Sequence, residues 1–218
     1  MKVSVQISVN KVIRFLVASD LALAAGWGFI APIFAIFLTE QIQGGDARVA
    51  GFAAGVYWVT KSILEPFIAR YLDQNHGEID DFYFLVYGLF MAGLVPLGYL
   101  FIKTPWQLYT LEFLHALAMA CAVPTWAGIF TRHIDKNQEA FDWSLDSTAV
   151  GLGAGAAGVL GGIIATAFGF PLLFILVSAC TMLSVILLFP TRPLIIPRGR
   201  RLVRPEKKKA SFFGKGSF

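Results

Sequence analysis

Six stretches of this chain, residues 12–38, 49–72, 82–102, 106–130, 143–168 and 171–190, are each predominantly apolar over the length of a membrane span. A helix rising 1.5 Å per residue needs about 20 residues to cross the roughly 30 Å of hydrocarbon in a bilayer. Inside lipid the backbone must satisfy its own N–H and C=O groups, which leaves the helix as the structure for consecutive runs of this kind. The expected fold is therefore all-α, a polytopic membrane protein with a six-helix domain at residues 1–190. Composition agrees: with 56% hydrophobic and 15% charged residues and a mean hydropathy of +0.67, the chain lacks the polar surface of a soluble domain. The first run is too long for the apolar core of a signal peptide and reads as a retained span. Cys121 and Cys180 each sit inside an apolar run and read as small buried hydrophobes, not as a disulfide or a metal site.

With six spans, both termini share one side. Fifteen Lys and Arg fall on that side and two, Arg48 and Lys103, on the other, with Lys61 inside a span. The positive-inside rule then places the termini in the cytoplasm of a plasma (inner) membrane protein. Residues 191–218 hold nine Lys/Arg against one acid, together with Phe212, Phe213 and Phe218. They read as a disordered basic tail whose partner is the anionic lipid headgroups, and nucleic acid is not an expected partner.

The chain also repeats itself. Pro32-Ile-Phe34-Ala35-Ile-Phe-Leu-Thr39 in the first span aligns with Pro124-Thr-Trp126-Ala127-Gly-Ile-Phe-Thr131 in the fourth, and Gly51-Phe-Ala-Ala54-Gly55 with Gly151-Leu-Gly-Ala154-Gly155. Because the first and fourth spans run in opposite directions, two copies of three helices, about 12–102 and 106–190, form an inverted 3+3 repeat.

Further motifs follow. The fifth span reads Gly153-x-x-x-Ala157-Gly158-x-x-Gly161-Gly162 and leads to Phe168-Gly169-Phe170 and Phe174; small residues at this spacing let helices approach backbone to backbone. Ala69-Arg70-Tyr71-Leu72-Asp73 closes the second span, and Glu112-Phe-Leu-His115-Ala116 precedes Pro124 in the fourth. In these features the chain resembles one half of a major facilitator superfamily transporter, over about residues 10–190. The first motif is similar to that family's glycine-rich fifth helix, with Gly158 in place of the usual proline. The second matches the start of its signature loop, although Glu78, Asp80 and Asp81 stand where basic residues belong. The third matches its fourth-helix motif with the charge reversed, Glu112 for arginine and His115 for glutamine.

The resemblance implies secondary active transport of a small-molecule substrate by alternating access, with no enzymatic activity and no cofactor. It implies a cavity lined by the first and fourth helices. Since a full transporter has two six-helix units, it also implies a parallel homodimer, with Arg70 and Asp73 in a gate loop that meets residues 144–147 of the partner. A non-transporting scaffold, or an accessory subunit of a different half-transporter, is the alternative that the departures from the family motifs leave open.

Ionisable groups within a span are costly unless paired or hydrated, so each is a functional candidate. Asp20 lies in the first span with no charged neighbour three or four residues away; Lys61 on the neighbouring helix, or a cationic substrate, is its expected partner. Lys61 and Glu65 are four apart and form an ion pair, either structural or remade during transport. Glu112 and His115 are three apart and suit a proton relay, or reach the outer headgroups. Trp27, Trp58 and Trp126 at mid-depth are expected to line the cavity, while Trp106 and Trp143 read as interface anchors. Pro32, Pro66, Pro96 and Pro124 are expected to interrupt the first four helices. His76, His115 and His133 are too scattered for a metal or catalytic site, and no Gly-x-Ser-x-Gly or His-Glu-x-x-His motif occurs. Sugars, amphiphilic drugs, amino acids and peptides all fit such a cavity.

Overall fold

The computed structural model describes residues 9–75 and 77–195; the basic residues of 196–218, Lys2 and His76 lie outside the described residues. The first helix, α1 (Lys11–Ile30), is started by Asn10, whose side-chain oxygen accepts the Val12 N–H at 3.0 Å. The same residue donates its backbone N–H to Asp135 and its side-chain amide to the His133 carbonyl, both at 3.1 Å, so the cap also ties α1 to a distant connection. Asn10→Ala should therefore cost roughly 1–2 kcal/mol of stability, above the typical loss of a cap alone, measurable by unfolding in mild detergent.

Pro32 has no N–H to donate, and the first span breaks there. Ala31–Ile33 form one 3-10 turn, and the helix resumes as α2 (Phe34–Gln41). The other prolines behave differently from the expectation: Pro66, Pro96 and Pro124 lie inside uninterrupted helices, each of which gives up one hydrogen bond without changing its helical type. α3 (Ala47–Asn75) starts at Asp46, whose carboxylate accepts the N–H groups of Arg48 and Val49. The Val49 bond, and then the Arg48 guanidinium, hold Asp46 below the usual carboxylate range. α4 (Glu78–Tyr99) is followed by α5 (Pro105–His133), which opens with Pro105 and a Thr104–Gln107 capping box. α6 (Glu139–Phe168) ends at Gly169, whose φ of +79° suits glycine and turns the chain into α7 (Phe170–Leu188).

Helical structure continues past residue 190, through a 3-10 turn (Phe189–Thr191) and α8 (Arg192–Ile195). Ile195 is buried, and Arg192 donates to the Tyr83 hydroxyl at 2.9 Å. Among the described residues there are no strands, and five helical segments are long and apolar enough to cross a membrane: Lys11–Gln41, Glu78–Tyr99, Pro105–His133, Glu139–Phe168 and Phe170–Ile195. The sixth segment, α3, matches them in length at 29 residues but carries Lys61, Glu65, Arg70 and Asp73, which lower its hydropathy.

α1 packs along α6 and α7, α5 packs along α3 and α4, and α4 meets α7. Two apolar clusters fill the bundle. One gathers Ile13, Leu16, Phe82, Ile129 and Phe130 at the end holding Asn10 and Arg132, here termed the basic end; the other gathers Ile30, Phe37, Tyr99, Leu108 and Phe174 at the opposite end. The α1–α6 seam is close. A methyl group added at Gly153 would lie 2.7 Å from Leu21, and one at Gly161 would overlap the Phe29 carbonyl. Ala157 is buried, Gly158 faces the Gly28 carbonyl, and Gly162 faces open space. Large apolar side chains stay uncovered on α3 (Phe52, Ile63, Phe67) and on α6 (Leu152, Val159, Ile163).

Candidate functional site

The fourth span brings Glu112 and His115 to the interior, each 7% exposed. Tyr99 at the end of α4 donates its hydroxyl to Glu112 Oε1 at 2.6 Å, and the other carboxylate oxygen lies 3.9 Å from His115 Nδ1. The imidazole stacks on Trp27 of α1, with ring centroids 4.1 Å apart and planes 10° from parallel, and Tyr57 of α3 flanks it at 4.8 Å. Glu112, His115, Trp27 and Tyr57 line a cavity of about 220 Å³ between the first, second and fourth spans, with Trp58, 59% exposed, at its edge. His115 Nε2 and Trp27 Nε1 are buried without a hydrogen-bond partner among the described residues. The cavity therefore combines aromatic walls, one carboxylate and two unmet ring nitrogens, an arrangement able to hold and exchange a proton beside an aromatic-lined space.

Lys61 and Glu65 are joined at 2.9 Å on α3, and the Lys61 ammonium lies 5.5 Å from the centre of the Trp58 ring. Asp20 is placed elsewhere. It lines a separate cavity of about 230 Å³ with Ser19, Leu23, Leu89, Met119 and Trp126, so the residues expected in one cavity divide between two, and Lys61 and Glu65 line neither. Among the described residues no ion pair joins Asp20 to Lys61: α1 packs on α6 and α7, and Lys61 is taken by Glu65. Trp126 stacks on Phe130 at 4.7 Å. Arg70 and Asp73 are exposed at the basic end. There the acidic start of α4 has its own cation, because Arg132 of α5 pairs with Glu78 at 3.3 Å and with Asp81.

Sequence reasoning missed Tyr57, Tyr99, Asp142 and Asp146. Tyr99 was within reach, since a connection of only five residues makes α4 and α5 a hairpin and brings residue 99 back toward residue 112. Asp146 was also within reach, because it is an ionisable residue inside the fifth apolar run.

The fold is that of an all-helical integral membrane protein, with polar groups gathered between apolar helices. The Major Facilitator Superfamily profile matches residues 16–215, and the chain belongs to that family. Among curated proteins it is similar to the Multidrug resistance protein MdtG of Dickeya zeae, at 22% identity over 185 residues covering 84% of this chain and 44% of that protein. It is similar to MdtG of Citrobacter koseri at 22% identity, covering 81% of this chain and 43% of the relative, and to that of Serratia proteamaculans at 20%, covering 81% and 42%. The chain thus spans less than half the length of the curated relatives it matches.

Proposed function

We propose that this chain is one half of a secondary active transporter in the plasma membrane, which moves a small solute by alternating access, coupled to protons, with its termini cytoplasmic. The observation that carries this reading is the buried Glu112–His115 pair, which lines a cavity with Trp27 and Tyr57. Protonation of the pair removes a net charge, and the neutral cavity closes without burying an unpaired carboxylate. The aromatic walls and the relatives' multidrug names support amphiphilic, drug-like solutes.

The second six-helix unit is a second copy of this chain, docked in parallel on α3 and α6. The uncovered apolar residues there support this, as do Gly51, Gly55, Gly151 and Gly155, where an added Cβ would meet no neighbouring element within 4 Å. The same positions pair in the sequence repeat. The packing of α1 on α6 and α7, mirrored by α5 on α3 and α4, supports its inverted 3+3 reading. Arg70 and Asp73 serve as gate contacts with that partner, and the basic tail binds anionic lipid headgroups.

The test is flux of an amphiphilic dye into vesicles of reconstituted protein under an imposed pH gradient, with the protein's mass measured in nanodiscs. Gradient-driven flux by a dimer is expected, falling by ~100-fold in His115→Asn while the fold persists. Equal flux in that variant would remove His115 from the coupling. A folded monomer that moves no dye would favour an accessory subunit of a different half-transporter.

A further inference from the structure

Two residues separate α3 from α4, yet the two helices meet only sparsely, and each packs instead along α5. The three enclose a cavity of about 570 Å³, with α5 as its floor and α3 and α4 as its walls. Leu64 and Ile68 line it from α3, Tyr87 and Leu94 from α4, and Leu114 and Cys121 from α5, with no charged side chain in the lining. Tyr87, Leu94 and Leu114 are also exposed, so the cavity is a groove open at the surface of the bundle.

On α5 the lining runs from Leu111 to Cys121, about 15 Å at 1.5 Å per residue. One leaflet contributes about half of the roughly 30 Å of hydrocarbon, so the groove is as long as one leaflet is deep. On α4 and α5 the lining falls mainly in the half away from the basic end, from Met91 to Val95 and from Leu111 to Ala118. Toward the basic end the groove is closed. There Tyr71 of α3 meets Phe84 of α4, with ring centroids 5.9 Å apart, one turn beyond Ile68 and one turn before Tyr87. Beyond Leu111, the turn into α5 carries exposed Lys103 and Trp106, a cation and an indole suited to the level of the lipid phosphates.

The lining also selects the occupant. Water does not fill an apolar cavity, and an empty one forgoes dispersion contacts along every wall. An ionic ligand finds no charged partner among the lining residues. Ile63 and Phe67, about 100° round α3 from Leu64 and Ile68, stay outside the groove, so the face assigned above to a second copy is left free. A lipid tail is what the surrounding bilayer supplies, and it is as apolar as the leucines it touches.

We propose that this groove binds one acyl chain of a membrane phospholipid, reaching in from the leaflet opposite the basic end, with its phosphate at the level of Lys103. The chain wedges α3 from α4 and supplies the contacts that these consecutive helices do not make with each other. Such a site requires a membrane-spanning bundle and not transport.

The experiment is photo-cross-linking of the full chain in phosphatidylcholine nanodiscs, where part of the lipid carries a diazirine at the end of one acyl chain. Labelled residues are mapped by mass spectrometry. Label is expected to be several-fold greater on Leu117 and Cys121 than on Ile175 and Ile186, exposed apolar residues of α7. With the diazirine moved next to the headgroup, the excess should move to Leu94 and Leu111. Leu94→Trp combined with Leu114→Trp, both at the exposed mouth, should fill the groove and remove the excess at an unchanged melting temperature. Label spread evenly over the groove and α7 in the unmodified protein would overturn the site, and that arm needs no variant to fold. An excess that survives both tryptophans would do the same. Groove residues labelled less than α7 in a protein with the mass of a dimer would put a second copy there instead. The reverse depth order would place the tail in the other leaflet and overturn the assigned direction.

Discussion

Replacing Gly161 by valine is expected to separate α1 from α6, whereas the same change at the adjacent Gly162 leaves the isolated chain nearly unaffected. The two glycines differ by 100° of helix rotation. A Cβ at Gly161 would overlap the Phe29 carbonyl oxygen and lie 2.8 Å from its carbon, and a Cβ at Gly162 meets no atom within 4 Å. Backbone cannot yield as a flexible side chain does, so the inserted methyl alone costs roughly 1–3 kcal/mol. Valine adds two more carbons in the same place. The contrast would be read as thermal stability in detergent, with Gly162→Val within about 0.5 kcal/mol of the parent. Equal losses at both positions would mean that general helix propensity, and not the seam, sets the cost.

The second large effect concerns Glu112, and it separates structure from chemistry. Glu112→Ala removes the acceptor of the Tyr99 hydroxyl, a group on a residue only 2% exposed, and so leaves a buried donor unmet at a cost of roughly 1–3 kcal/mol. Glu112→Gln keeps an acceptor for Tyr99 and removes the negative charge facing His115. The glutamine variant is therefore expected to fold close to normally and to lose the pH dependence of dye flux, while the alanine variant loses stability as well. The measurements are a melting curve and a flux–pH profile on the same preparations. A glutamine variant as unstable as the alanine one would show that the charge itself holds the fold.

These predictions use residues of unequal legibility. The six long helices were readable to within a few residues, because the bilayer sets the length of an apolar run. The Glu112–His115 and Lys61–Glu65 pairs were readable because three- and four-residue spacings fix neighbours within one helix. Which helix faces which was harder. In a soluble bundle the apolar stripe marks the inside, but lipid is as apolar as a core, so Phe67, 70% exposed, and Phe82, 1% exposed, look alike in sequence. Asp20 was accordingly matched to Lys61 on the next helix in the chain, when the helix packed beside it is α6 with Asp146. Pro32 and Pro124 were aligned by the repeat, yet only the first breaks its helix.

The cross-links that Asn10 and Arg132 make at one end have a mechanical meaning. Asn10 binds Asp135 and His133, Arg132 binds Glu78 and Asp81, and Arg192 binds Tyr83, so this end is held by polar ties between helices far apart in sequence. At the other end, the backbone bond from Gln43 to the Lys103 carbonyl joins two connections and the Tyr99 hydroxyl ties α4 to Glu112 of α5, while aromatic packing surrounds the broken turn at Pro32. The bundle is built like a tuning fork, clamped at its stem and free at its tines. Small displacements should therefore grow with distance from the clamp, and the amides of α2 should exchange with solvent before those at the start of α1.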